Sequence, residues 1–175
     1  MSGIKHAIRE AKPEEFVEVG KLMVEVYSQL DGFPKKDEQP NYYMTLANVS
    51  DFTSKPKVKL LVAISENDTL DGAVVYFGDM KDYGSGGSAT KEKNAAGFRL
   101  LAVNNEARGK GIGKLLTKYC IDLAKNEHQE QLIIHSTKAM KIAWSMYERL
   151  GFKRSSDLDF EQSKLKVFGF RLLLN

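Results

Sequence analysis

Three glycines fall within five residues in the stretch Arg108-Gly-Lys-Gly-Ile-Gly113. An apolar, strand-like run, Ala95-Ala-Gly-Phe-Arg-Leu-Leu-Ala-Val103, precedes it, and Ile112, Leu115, Leu116, Tyr119 and Leu123 then repeat at helical spacing. A chain with this pattern must pass from a strand through a tight glycine turn into a helix, and the amides at that helix start point outward at its positive end. Glycine at 109, 111 and 113 lets an anion approach the backbone without a Cβ in the way, while Arg108 and Lys110 add charge. This geometry favours a pyrophosphate. The Gly-x-Gly-x-x-Gly dinucleotide spacing and the Gly-x-x-x-x-Gly-Lys-Ser/Thr phosphate loop are both absent, so a different phosphate binder is required.

The rest of the chain alternates strands and helices. Patterning predicts a strand over His6–Arg9, a helix from about Pro13 to Tyr27, a loop over Asp31–Pro40 and a second helical piece over Asn41–Val49. Val58–Ser65 and Leu70–Phe77 read as a hairpin turning at Glu66–Thr69. Asp82–Asn94, rich in glycine, serine and charge, reads as a mobile loop, either a lid or a hairpin tip. After the glycine turn and its helix come a buried strand at Gln131–His135, a helix over Ala139–Leu150 stopped by Gly151, and a last strand at Lys166–Leu174. That strand is apolar enough to be covered on both faces, by this chain's helices or by a second copy in a homodimer.

With 175 residues the chain has the length of one domain, and 42% hydrophobic with 28% charged residues is ordinary for a globular one. The net charge of +3 comes from basic residues spread along the chain, too weak a pattern for nucleic-acid binding. No apolar run approaches the roughly 18 residues that cross a bilayer. A single cysteine and a start without a secretory apolar run lead us to expect a cytoplasmic protein. His6, His128 and His135 are not at ligand spacing, so no metal is implied.

The stretch Leu100–Gly113 resembles the acetyl-CoA motif of the GNAT superfamily of N-acetyltransferases, written Arg/Gln-x-x-Gly-x-Gly/Ala, which Arg108, Gly111 and Gly113 match. Ala143-Trp-Ser-Met-Tyr-Glu-Arg-Leu-Gly-Phe152 resembles the family's second signature of Ala, Tyr and Gly-Phe. The resemblance implies an α/β fold over residues 1–175: a twisted mixed sheet of about six or seven strands, splayed between the fourth and fifth, with helices on both faces. It implies acetyl-CoA as co-substrate and a primary amine, on a small molecule or a peptide or protein, as acceptor. Leu101, Ala102 and Val103 would face the pantetheine arm. The backbone of Arg108, Gly109, Lys110, Gly111, Ile112 and Gly113 would hold the pyrophosphate, Met140 and Ala143 would also line the cofactor, and Tyr147 would be the catalytic acid toward the departing sulfur. The alternative is a module that binds acetyl-CoA as a sensor with little or no turnover.

Two positions depart from the family pattern. Met140 stands where an Asn usually contacts the cofactor, and Gly97 stands where a Glu serves some members as general base. The base is therefore unassigned, with His135 as a candidate. Tyr27, Phe33, Tyr42 and Tyr43 fall in the segments that form the acceptor wall in this superfamily. Cys120 reads as a small buried apolar group, and Trp144 as packing with Met140 and Met146 around core and cofactor.

Overall fold

The computed structural model describes residues 5–84 and 86–174; the first residues of the amino-terminal stretch and Ser85 of the glycine-rich segment lie outside the described residues. In chain order the elements are β1 (His6–Glu10), α1 (Phe16–Ser28), α2 (Pro40–Ala47), β2 (Val58–Ser65), β3 (Leu70–Phe77) and β4 (Ala95–Val103). They continue with α3 (Ile112–Asn126), β5 (Gln131–Ser136), α4 (Lys141–Arg149), β6 (Lys153–Arg154), β7 (Phe160–Gln162) and β8 (Leu165–Leu173).

Local chemistry explains most of these boundaries. Pro13 opens a short 3-10 turn ahead of α1, and Pro40 opens α2, each where a missing N–H costs nothing. Glu15 fixes the entry to α1, accepting from the Lys12 amide at 2.7 Å and from both terminal nitrogens of Arg9 at 2.8 Å. Along α1, Val19, Leu22, Met23, Val26 and Tyr27 are buried at helical spacing, the stripe that turns a helix toward a core. β2 and β3 are buried over nearly their whole length, so their apolar runs are continuous rather than alternating. Between them the turn closes where the Ser65 amide donates to the Thr69 carbonyl at 3.0 Å, with Asp68 in the left-handed region. Each buried Leu-sized side chain in such strands contributes about 1.5–3 kcal/mol.

Among the described residues the sheet has eight strands in the order β1-β2-β3-β4-β5-β8-β6, with β7 paired to β8. β1 is antiparallel to β2, β4 is parallel to β5, and β8 is antiparallel to β5, β6 and β7. The count exceeds six or seven because β6 and β7 are two and three residues long and show no periodicity. Backbone contacts group Met1–Val75 with Leu100–Tyr119 and, separately, Tyr76–Arg99 with Cys120–Asn175.

The pairing of β4 with β5 is short. It runs from Ala95 opposite Gln131 to Gly97 opposite Ile133 and stops, although β4 continues through Phe98 and Arg99 and β5 through Ser136. On its other edge β5 stays paired with β8 as far as Ser136 opposite Phe168. Three residues further along β4, Leu100 has φ 60°, a left-handed conformation inside a strand. A Leu there is a backbone outlier of the kind that marks a bulge and ends a ladder.

Candidate functional site

The glycine turn is built from β4 outward. The Asn104 amide donates to the Asp71 carbonyl at 2.8 Å, and the Asn104 side chain accepts from the Glu106 amide at 3.2 Å. The chain is thereby held in a 3-10 turn over Asn105–Ala107 that delivers an extended, exposed Arg108. Gly109 and Gly111 follow with φ 80° and 78°, which only glycine adopts without strain. The Gly111 carbonyl accepts from the Leu115 amide at 3.0 Å, so Gly111 stands immediately before α3 and takes its first helical hydrogen bond. A Cβ placed at Gly109 or Gly111 would meet nothing within 4 Å. Both face open space, which is what an anion approaching the first-turn amides needs. Lys110 is exposed beside them, and the first turn of α3 has no acidic residue to compete. Gly113 is already within the helix and is not left-handed, so its lack of a side chain, not its φ, is what it offers. These residues fit a diphosphate.

In the same unit Leu101 and Val103 are half-buried and Ala102 is buried. The Tyr27 hydroxyl reaches the Leu101 carbonyl at 3.3 Å. Tyr27 also stands 5.5 Å from Phe33 and 6.3 Å from Tyr42, and Tyr42 stands 6.1 Å from Tyr43, as ring centroids. The four aromatics singled out in the sequence therefore form one cluster, tied to the β4 residue expected to face the pantetheine arm.

Tyr147 is held by the end of α4. The Gly151 amide donates to the Glu148 carbonyl at 3.1 Å and the Phe152 amide to the Tyr147 carbonyl at 3.0 Å, with Gly151 at φ 102°. This is a Schellman stop, and its customary apolar contact is the pair Tyr147 and Phe152, 5.7 Å apart. Phe98 of β4 adds a third ring 5.8 Å from Tyr147. The ring is thus held between two others. Its hydroxyl makes no hydrogen bond with the described residues. Burial pushes the Tyr147 phenol well above its ordinary pKa, which keeps it protonated and able to donate. Trp144, three residues earlier, faces elsewhere: its ring packs at 5.3 Å on Phe168 and 4.8 Å on Phe170 of β8. Of the expected methionine neighbours of this helix, Met140 is the N-cap of α4 and takes a contact from the Ser136 hydroxyl at its sulfur, 3.8 Å away. Ala143 is half-buried one turn further on.

The position expected to hold a base is closed to one. A Cβ at Gly97 would lie 2.7 Å from the Ile133 carbonyl oxygen, 2.8 Å from the Tyr83 ring and 2.9 Å from the Met80 sulfur. No side chain, least of all a carboxylate, fits there. His135 does not replace it, because both ring nitrogens are engaged. A carbonyl can only accept, so Nε2–H donates to the Leu158 carbonyl at 2.9 Å and Nδ1 accepts from the Tyr83 hydroxyl at 3.0 Å. Burial also lowers the His135 pKa, favouring this neutral form. Cys120 is buried, and burial raises its thiol far from the thiolate that a nucleophile needs. Gly86 lies against the Phe160 ring, and the Ser88 hydroxyl donates to the Asp157 carbonyl at 3.0 Å.

Sequence reasoning missed Leu100, because nothing in its neighbours signals a positive φ. It also missed Tyr83 and Met80, whose packing against Gly97 is visible only in three dimensions.

A strand leading through an open glycine turn into a helix, and a parallel pair that parts after three residues, belong to a mixed α/β sheet. Its fold is that of solved acetyltransferases. An acetyltransferase of the GNAT family from Staphylococcus aureus Mu50 superposes with a TM-score of 0.73 at 17% identity, over 97% of this chain and 99% of that one. The Salmonella typhimurium protein yncA, determined with its cofactor acetyl-CoA, gives 0.65 at 16% identity over 98% and 95%. In sequence, 55 residues are 38% identical to N-alpha-acetyltransferase 30 of Schizosaccharomyces pombe, covering 31% of this chain and 37% of that protein. The match thus spans little more than a third of that relative's length. The Acetyltransferase (GNAT) domain model matches residues 59–174. The chain belongs to the GNAT acetyltransferase family.

Proposed function

We propose that residues 1–175 act as one N-acetyltransferase domain that transfers acetyl directly from acetyl-CoA to a primary amine of a small molecule, peptide or protein. The observation that carries this reading is the pair of left-handed glycines at the start of α3, both facing open space beside Arg108 and Lys110. When bound, acetyl-CoA supplies the acetyl group as an activated thioester. The chain's own residues do the rest. The amides of residues 108 to 113 bind the diphosphate, and the backbone of Leu101, Ala102 and Val103 orients the arm, with the Val103 N–H as donor toward the thioester oxygen. Met140 and Ala143 give an apolar side to the same arm. Tyr147 donates its proton toward the sulfur as the amine attacks. Gly97 leaves no carboxylate to deprotonate the amine, so the acceptor enters as the neutral amine or loses its proton to water. The cluster of Tyr27, Phe33, Tyr42 and Tyr43 supplies an acceptor wall.

The test is a panel of amines, polyamines, amino acids and peptides with acetyl-CoA, following thiol release. We expect release with at least one class. The closed base position favours a second reading, a binding module without turnover, and tight CoA binding with no release across the panel would establish that instead.

A further inference from the structure

Gly72 sits inside β3, a strand buried over its whole length, and its backbone is not left-handed. Glycine is a poor strand former and gives no side chain to a core, so its place there calls for a reason other than conformation. Space supplies that reason. A Cβ at Gly72 would lie 2.8 Å from Cγ2 of Ile112, 3.1 Å from Cδ1 of Leu116 and 3.2 Å from the Ala102 carbonyl oxygen. Ile112 is the first residue of α3 and Leu116 lies one turn further on; both are buried, so neither has solvent to swing into. The missing side chain is what lets the beginning of α3 settle on β3.

The two residues before Gly72 hold the other end of the glycine turn. The Asp71 carbonyl accepts from the Asn104 amide at 2.8 Å, and the Leu70 carbonyl accepts from the Asn104 side-chain amide at 3.4 Å. Asp71, a buried residue, is itself pinned: its carboxylate accepts from His6 Nε2 of β1 at 2.7 Å and from the Thr69 hydroxyl at 3.1 Å. Three consecutive residues of β3 thus grip the turn where it leaves β4 and where it enters α3, and all of these residues belong to one compact unit. Between the two grips the chain makes its 3-10 turn and its two left-handed glycines, so the direction of the first-turn amides follows from where Asn104 and Ile112 are held.

We infer that Leu70, Asp71 and Gly72 form the seat that positions the diphosphate-binding turn, with Gly72 setting how closely the start of α3 approaches the sheet. This rests on the acetyl-CoA reading above. The three are positioning residues that act through Asn104 and Ile112; a methyl group at 72 lifts Ile112 and, with it, the amides that follow Gly111.

The experiment is calorimetry of CoA, and of adenosine 3′-phosphate 5′-diphosphate, which carries the diphosphate without the pantetheine arm, on wild type, Gly72→Ala, Asn104→Ala and Val62→Ala, with the melting temperature of each ligand-free protein. Val62 is a buried residue of β2, outside the seat and the turn but in the same compact unit. We expect Gly72→Ala to bind both ligands about tenfold more weakly and by the same factor, and Asn104→Ala to weaken both alike. Val62→Ala should melt lower than wild type yet bind both ligands as wild type does. Wild-type affinity in either seat variant would overturn the inference. So would a loss for CoA that the armless nucleotide does not share, since the turn holds the diphosphate common to both. Equal weakening in Val62→Ala would overturn it too, because affinity would then track stability alone. Should Gly72→Ala fail to fold, Asn104→Ala decides: both ligands weakened alike upholds the seat, and unchanged affinity removes it. Wild type that binds neither ligand would overturn the acetyl-CoA reading itself, and this inference with it.

Discussion

At the scale of single residues, Tyr147 joins two properties that usually conflict. Its ring is buried among Phe98 and Phe152, which fixes it, yet its hydroxyl is not consumed by any hydrogen bond with the described residues. Because burial raises its pKa, the proton stays in place at neutral pH and is available to a developing thiolate. Tyr147→Phe keeps the ring packing and removes only the proton. We expect turnover to fall roughly tenfold to a thousandfold, with CoA affinity and melting temperature close to wild type. Steady-state kinetics on an accepted amine checks this, and wild-type turnover across the pH range would move the acid role elsewhere. His135 illustrates the opposite case. It was readable as a strand-end histidine, but its two nitrogens are spent on Leu158 and Tyr83, a fact that no sequence spacing reveals.

At the scale of elements, the start of α3 carries the sharpest requirement. Gly111 is left-handed, precedes the first helical residue and faces open space. Gly111→Ala therefore adds strain of about 1–2 kcal/mol and places a methyl group on the side from which the anion comes. We expect a melting point lowered by a few degrees but CoA affinity lowered at least tenfold, and calorimetry on the folded variant would show it; unchanged affinity would separate the turn from phosphate binding. This turn was legible because glycine is the residue such a backbone demands. The same logic made the end of α4 legible through Gly151, and with it the place of Tyr147 in the last turns. Where an ordinary residue takes an unusual backbone, as Leu100 does, the sequence carries no sign, and the end of the β4 and β5 ladder could be expected only from resemblance. The beginning of α4 was read two residues early because the turn from Thr137 to Met140 has helix-like composition without helix hydrogen bonds.

For the molecule as a whole, β2 and β3 matched their apolar runs end for end, since buried strands need unbroken hydrophobicity, while β6 and β7 escaped notice because so few residues pair. Burial on this scale has a consequence for pH. Tyr76, Tyr83 and Tyr147 are buried, and burial raises each phenol above its ordinary value; the Tyr76 hydroxyl also donates to Glu127 at 2.7 Å, which raises it further. Cys120 is raised in the same way. In the unfolded chain these groups lose their protons near pH 10 for tyrosine and 8.5 for cysteine, roughly, whereas the folded chain retains them. Above those values the unfolded state binds fewer protons, so stability must fall as pH rises. The contribution is fully present below about pH 8 and declines by up to about 1.4 kcal/mol per pH unit for each group beyond its unfolded pKa. We expect denaturant midpoints to hold steady from pH 7 to 8 and to drop steeply between pH 10 and 11. Cys120→Ala should remove the part of the decline that begins first, and Tyr83→Phe should reduce the slope above pH 10. A midpoint that stays level through pH 11 would mean that these side chains reach water in the native state, and the tight packing of Tyr83 against Gly97 would then have to be abandoned.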